Sequence, residues 1–148
     1  MIQIRPANIE DVTSIHELIL ELAVFEKAPN EVITSPESLA IDGFGPKPLF
    51  ICFVAEYDSK IVGMSLCYIR FSTWKGSVLY LEDLIVTESY RGKGIGKALF
   101  QYTLNYSKSN GFQRLSWQVL EWNQPAIDFY KTFGANLDAE WTNAWIES

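Results

Sequence analysis

The run VLYLEDLIV, Val78 to Val86, sets the strongest limit on what this chain can fold into. Seven of its nine residues are apolar, and a continuous apolar run of that length reads as a strand buried on both faces. It leads into TESYRGKGIGKALF, a glycine-rich turn that opens a helix, which points to an α/β domain. Glu82 and Asp83 stand side by side inside the run. Regular alternation sends one carboxylate to each face of the sheet. An unpaired buried carboxylate costs on the order of several kcal/mol, or its pKa rises until it is neutral. Two adjacent acids in such a strand therefore need a reason.

The remaining chain is organised around that strand. MIQIRPA opens as a short alternating strand, and Asn8 or Asp11 can start a helix running to about Phe25. Ser35 followed by Pro36 reads as the N-cap and first turn of a second helix ending near DGFGPKP. LFICFVAEY and IVGMSLCYIRF form two strands joined by a tight turn at DSK, an antiparallel hairpin. After the glycine turn a helix extends to about Asn110, with Ile95, Ala98, Leu99, Tyr102 and Tyr106 on one face. RLSWQVLEW reads as a strand, NQPAIDFYKTFGA as a short helix, and EWTNAWIE as a final strand. Without repeats or linkers, the 148 residues are expected to form one domain.

Composition excludes several classes. With 48% hydrophobic and 20% charged residues, the chain is an ordinary globular sequence. No apolar run is long enough to span a bilayer, and the N-terminus lacks the basic start and apolar segment of a secretory signal. A net charge of −6 argues against a nucleic-acid surface. Cys52 and Cys67 have no metal-ligand spacing and there is a single histidine, so no metal site is expected. Both cysteines read as core-filling thiols, in keeping with a reducing cytoplasm.

The glycine turn carries the chemistry. Gly92, Gly94 and Gly96 let the backbone approach a ligand closely, and the helix N-terminus behind them offers unpaired N–H groups to phosphate oxygens. Arg91, Lys93 and Lys97 add positive charge there. A P-loop is excluded, because Arg91 stands where its first glycine belongs and Ala98 follows Lys97. A dinucleotide fingerprint is excluded by Lys97 itself. What remains is Arg-x-x-Gly-x-Gly, filled by Arg91, Gly94 and Gly96. Downstream, EWNQPAIDFYKTFGA carries Asn123, Ala126, Tyr130 and Gly134 at the spacing Asn-x-x-Ala-x-x-x-Tyr-x-x-x-Gly.

Together with the opening IRPANIEDV, these motifs resemble the GNAT superfamily of N-acetyltransferases. Within it, LYLEDLIVTESYRGKGIG, EWNQPAIDFYK, ELAVFEKAPNEV and DGFGPKPLF look like the diamine (spermidine/spermine) N-acetyltransferases and their thialysine-acetylating relatives. The resemblance covers Ile2 to Ile146. It implies the GNAT acyl-CoA N-acyltransferase fold, a mixed α/β fold with a mostly antiparallel central sheet, flanked by helices and splayed between strands four and five. It also implies transfer of acetyl from acetyl-CoA to a small primary amine, and a homodimer.

The same resemblance implies roles. Backbone groups of Leu84, Ile85 and Val86 would hold pantetheine, and the loop Arg91, Gly92, Lys93, Gly94, Ile95, Gly96 and Lys97 would take the pyrophosphate. Asn123 would add a side-chain contact to the cofactor, and Tyr130 would be the general acid. Glu82 aligns with the base, and its apolar neighbours suit a carboxylate poised to hold a proton. Phe25, Glu26, Trp74, Glu82 and Asp83 would line the amine pocket, where acids and aromatics suit an alkylammonium. Ser72 stands where the polyamine enzymes carry aspartate, and Phe25 where the family carries tyrosine.

Overall fold

Five strands make one sheet in the order β1 (Ile2–Pro6), β2 (Ile51–Tyr57), β3 (Lys60–Ser72), β4 (Gly76–Val86) and β5 (Leu115–Trp117). Neighbours among the first four are antiparallel, while β5 runs parallel to β4, as the mixed, mostly antiparallel sheet requires. These elements come from a computed structural model that describes residues 1–148 and falls into two compact units, residues 1–117 and 118–148.

Local sequence explains most element boundaries. Asn8 accepts from Glu10 N–H and Asp11 accepts from Asn8 N–H, so a single 3-10 turn precedes α1 (Val12–Phe25). Ser35 and Ser38 cap α2 (Pro36–Phe44) reciprocally, at 3.1 and 2.9 Å, with Pro36 in the first turn. The β2–β3 turn is two residues long, and Asp58 and Ser59 both take positive φ, the twist that fits a tight hairpin.

Two layers flank the sheet. On one face, Ile15 and Leu18 of α1 and Leu39 of α2 pack on Val54, Met64, Leu66 and Ile85. On the other, Ile95 and Leu99 of α3 (Ile95–Ser109) pack on Ala55, Val62, Leu84 and Val86. Tyr102 and Tyr106 close over Phe53 at ring distances of 4.9 and 5.0 Å. The hydroxyls buried there are paired, Ser65 with Thr103 at 2.7 Å and Thr103 with the Leu99 carbonyl. Cys52 and Cys67 are buried free thiols, and burial pushes both pKa values up, so neither is a ready nucleophile.

Two strand expectations are corrected. RLSWQVLEW supplies a strand only at Leu115–Trp117, because pairing with β4 ends at Leu81–Trp117, immediately before an irregularity in β4. EWTNAWIE forms no strand, and residues 135–148 contain neither helix nor strand. Its aromatic and β-branched residues are not enough, since a strand also needs a hydrogen-bonding neighbour. The second unit is built on α4 (Gln124–Lys131), with Pro125 in its first turn and Gly134 beyond its end at φ 76°.

Candidate active site

The irregularity in β4 is a bulge. Leu66 of β3 lies opposite Asp83 and Cys67 opposite Leu81, so Glu82 is an extra residue with no partner across the ladder. Asp83 thereby falls on the α1 side with Leu66 and Ile85, while Leu84 and Val86 face α3. Regular alternation through both acids therefore fails, as does the expected burial of Glu82. Glu82 is exposed on the bulge and Asp83 is half-buried.

The carboxyl that burial does affect is Asp83. Desolvation, followed by the nearby Glu82 and Glu26 charges, pushes it up to about 7. Glu26 caps the C-terminus of α1, and burial with the Glu82 charge raises its pKa too. Three carboxylates from two separate elements thus share one field. The buried surroundings expected around Glu82 belong instead to Asp83.

Beyond β4, a single turn at Glu88–Tyr90 leads to the glycine loop. Gly92 and Gly94 adopt φ of 78° and 80°, and a side chain built on either meets nothing within 4 Å. They are glycines for their backbone conformation, and the space above them is open to a ligand. Gly94 is the N-cap of α3, which has no side-chain cap, so its first N–H groups are available to an anion. Lys93 and Lys97 are exposed beside them. These residues fit a pyrophosphate group.

Arg91, expected to help take the pyrophosphate, has partners within the chain. Its Nε donates to the Val86 carbonyl at 2.8 Å, its Nη2 lies 3.5 Å from Glu21, and its guanidinium sits 5.8 Å from the Phe25 ring centre. The side chain folds back on α1. Leu84, Ile85 and Val86 are paired with β3 but lie beyond the end of the β5 ladder, so the sheet gives them no partner on that side. Trp74, in the β3–β4 turn, is 91% exposed. Ser72 accepts from the N–H groups of Trp74 and Lys75 and shapes that turn.

In the second unit, Asn123 caps α4 by accepting from Ala126 N–H at 3.3 Å, so its side-chain oxygen has a structural task. Tyr130 lies in the last turn of α4, buried, with its ring 5.3 Å from that of Phe129. Sequence reading missed Glu21. As one more acid on a helix it carried no signal, and only the fold shows that it reaches the loop.

The model of the acetyltransferase (GNAT) family matches residues 14–135, across both units. The chain belongs to the GNAT acetyltransferase family. It is accordingly an N-acetyltransferase. It is 41% identical over 142 residues to the thialysine N-epsilon-acetyltransferase of Bos taurus, covering 90% of this chain and 84% of that protein. It is 35% identical over 150 residues to the human spermidine/spermine N(1)-acetyltransferase-like protein 1, covering 97% of this chain and 21% of that much longer one. In fold it is similar to an aminoglycoside acetyltransferase from an uncultured soil metagenomic sample, solved with sisomicin, at a TM-score of 0.81 and 22% identity. That match covers 99% of this chain and 96% of the other. No helix of this GNAT protein is long and apolar enough to cross a membrane.

Proposed function

We propose that the chain, as one domain over residues 1–148, transfers the acetyl group of acetyl-CoA to a primary amine of a small cationic substrate, a polyamine or a lysine- or thialysine-like amino acid. The carrying observation is the gathering of Glu26, Glu82 and Asp83 at the β4 bulge, an anionic field suited to an alkylammonium. Family membership and the thialysine-acetylating relatives support the same reading. Acetyl-CoA supplies the activated thioester.

The residues divide the work. Backbone N–H groups of the loop Gly92–Lys97, with Lys93 and Lys97, hold the pyrophosphate, and Leu84, Ile85 and Val86 line up the pantetheine arm. Arg91 acts mainly by shaping the loop, and Asn123 by holding α4. Glu82 takes the proton of the incoming ammonium, directly or through water, because an alkylamine attacks only when neutral. Asp83 and Glu26 keep the cation in place, with Phe25 and Trp74 as aromatic walls. Tyr130 Oη returns a proton to the departing sulfur. No metal has a part in the proposal, and the protein is proposed to work as a cytoplasmic homodimer on small molecules, without nucleic acid or membrane.

Glu82→Gln is expected to lower kcat/KM by about 10- to 100-fold, with the loss partly relieved at high pH where more amine is neutral. A pH–rate profile of variant and parent checks this, and superimposable profiles would remove Glu82 as the base.

Ser72 gives its oxygen to the hairpin turn and carries no charge, which favours a lysine-like amine over a long polyamine. Thiol release from acetyl-CoA with thialysine, lysine, putrescine, spermidine and a peptide panel tests the proposal. Thialysine or a small diamine should lead. Release with peptides alone would mark a protein acetyltransferase, and release with none would mark an acetyl-CoA-binding sensor.

A further inference from the structure

We infer that Glu21 is a positioning residue that ties the glycine loop to the amine pocket, so that cofactor and amine each strengthen the other's binding. The inference rests on the function proposed above and assigns that site a coupling element.

Glu21 sits on α1, one turn before Phe25 and close to Glu26 at the end of the helix. Its carboxylate reaches three donors of the β4–α3 connection. Oε1 accepts from the Thr87 hydroxyl at 2.6 Å, Oε2 accepts from Glu88 N–H at 3.0 Å, and Arg91 Nη2 lies 3.5 Å from Oε2. The turn Glu88–Tyr90 has no cap of its own, because Thr87 turns its hydroxyl to Glu21 instead. Glu21 therefore caps from another element the turn that starts the loop.

Arg91 completes the clasp. It joins the Val86 carbonyl at the end of β4 to Glu21 and lies against Phe25. One carboxylate and one guanidinium thus connect the loop that receives the pyrophosphate with the helix end that carries Phe25 and Glu26. The ion pair is half-exposed and contributes little alone. The hydrogen bonds to Thr87 and Glu88 are charge-assisted, and they fix the loop relative to α1. A ligand that orders the loop then also orders the last turn of α1, and the coupling is reciprocal.

Glu21→Gln keeps the shape and one acceptor oxygen but removes the charge and puts an NH2 donor among three donors. The dissociation constant of thialysine is measured by calorimetry with and without saturating CoA, for the parent, Glu21→Gln and Thr87→Val. The parent should bind thialysine about fivefold or more tightly with CoA present, the low end of ordinary coupling between sites. That ratio should fall below about twofold in Glu21→Gln and decrease in Thr87→Val, with acetyl-CoA KM rising about three- to tenfold in Glu21→Gln. A merely structural residue would weaken both ligands but leave the ratio unchanged. An unchanged ratio in Glu21→Gln, or a ratio of one in the parent, overturns the inference. Turnover of thialysine by the parent tests the proposed function separately.

Discussion

Tyr130→Phe should lower turnover by about 10²- to 10⁴-fold while acetyl-CoA affinity stays within about twofold, the signature of a lost proton donor. The substitution removes one oxygen and preserves the ring. Tyr130 is buried in the last turn of α4, and its ring meets Phe129 edge-on, a contact that phenylalanine keeps. The start of the helix is held separately, by the Asn123 cap and Pro125. Steady-state kinetics gives kcat, calorimetry gives acetyl-CoA binding, and thermal unfolding checks the fold. Turnover within a few-fold of the parent would remove Tyr130 as general acid.

Asp83→Asn is expected to change the pH dependence of stability. In the folded chain Asp83 holds its proton up to about 7, whereas an unfolded aspartate releases it near its ordinary value of 3.8. Between those two values the folded state binds more protons, so this group's contribution is full below about pH 4 and is lost as pH rises towards 7. The full shift corresponds to at most about 4 kcal/mol, and a half-buried group should give roughly half of that. Asparagine has no such loss. It should match the parent near pH 4 and exceed it by about 2 kcal/mol at pH 8. Asp11 slopes the opposite way, because its bond to Arg5 holds its carboxyl below the usual range, so its share grows as pH rises from acid values. The difference between variant and parent isolates Asp83. Urea unfolding from pH 4 to 8.5 measures it, and parallel curves would show that Asp83 titrates alike in the folded and unfolded chain. A bound ammonium should also draw the proton off Asp83, flattening the parent's slope when a saturating amine is present.

The parts of this molecule legible in its sequence are those written in local chemistry. Ser35–Pro36 marks the start of α2, Asp58–Ser59 the tight hairpin, and Gly92–Lys97 the mouth of α3. The bulge has no signature inside VLYLEDLIV, because it depends on the count of residues in β3 against β4, and only the family resemblance admits one in this strand. The same holds for the short β5, whose length is set by where β4 stops offering a regular ladder. EWTNAWIE shows the reverse error, a strand-like composition that forms no strand. In the site, Glu82 and Asp83 were visible as misplaced acids, but the sequence did not show that Glu82 is the exposed one and Asp83 the half-buried one. Arg91 reads as a phosphate cation in the motif, yet its side chain is held by Val86 and Glu21. Glu21 gains its meaning only once α1 lies beside Thr87 and Glu88.

Leu81 faces Cys67 and Asp83 faces Leu66, and these two β3 residues are consecutive. With Glu82 excised, Leu81 and Asp83 would become consecutive as well, and both sides of the ladder would count evenly. Every other residue of β4 could keep its side of the sheet. Deleting any single residue of a regular strand inverts the facing of all that follow. Here the inversion is already present, and Glu82 is its cause. The strand can thus be read as a regular ten-residue message with one acidic letter inserted, and that letter could be struck out whole without scrambling the rest.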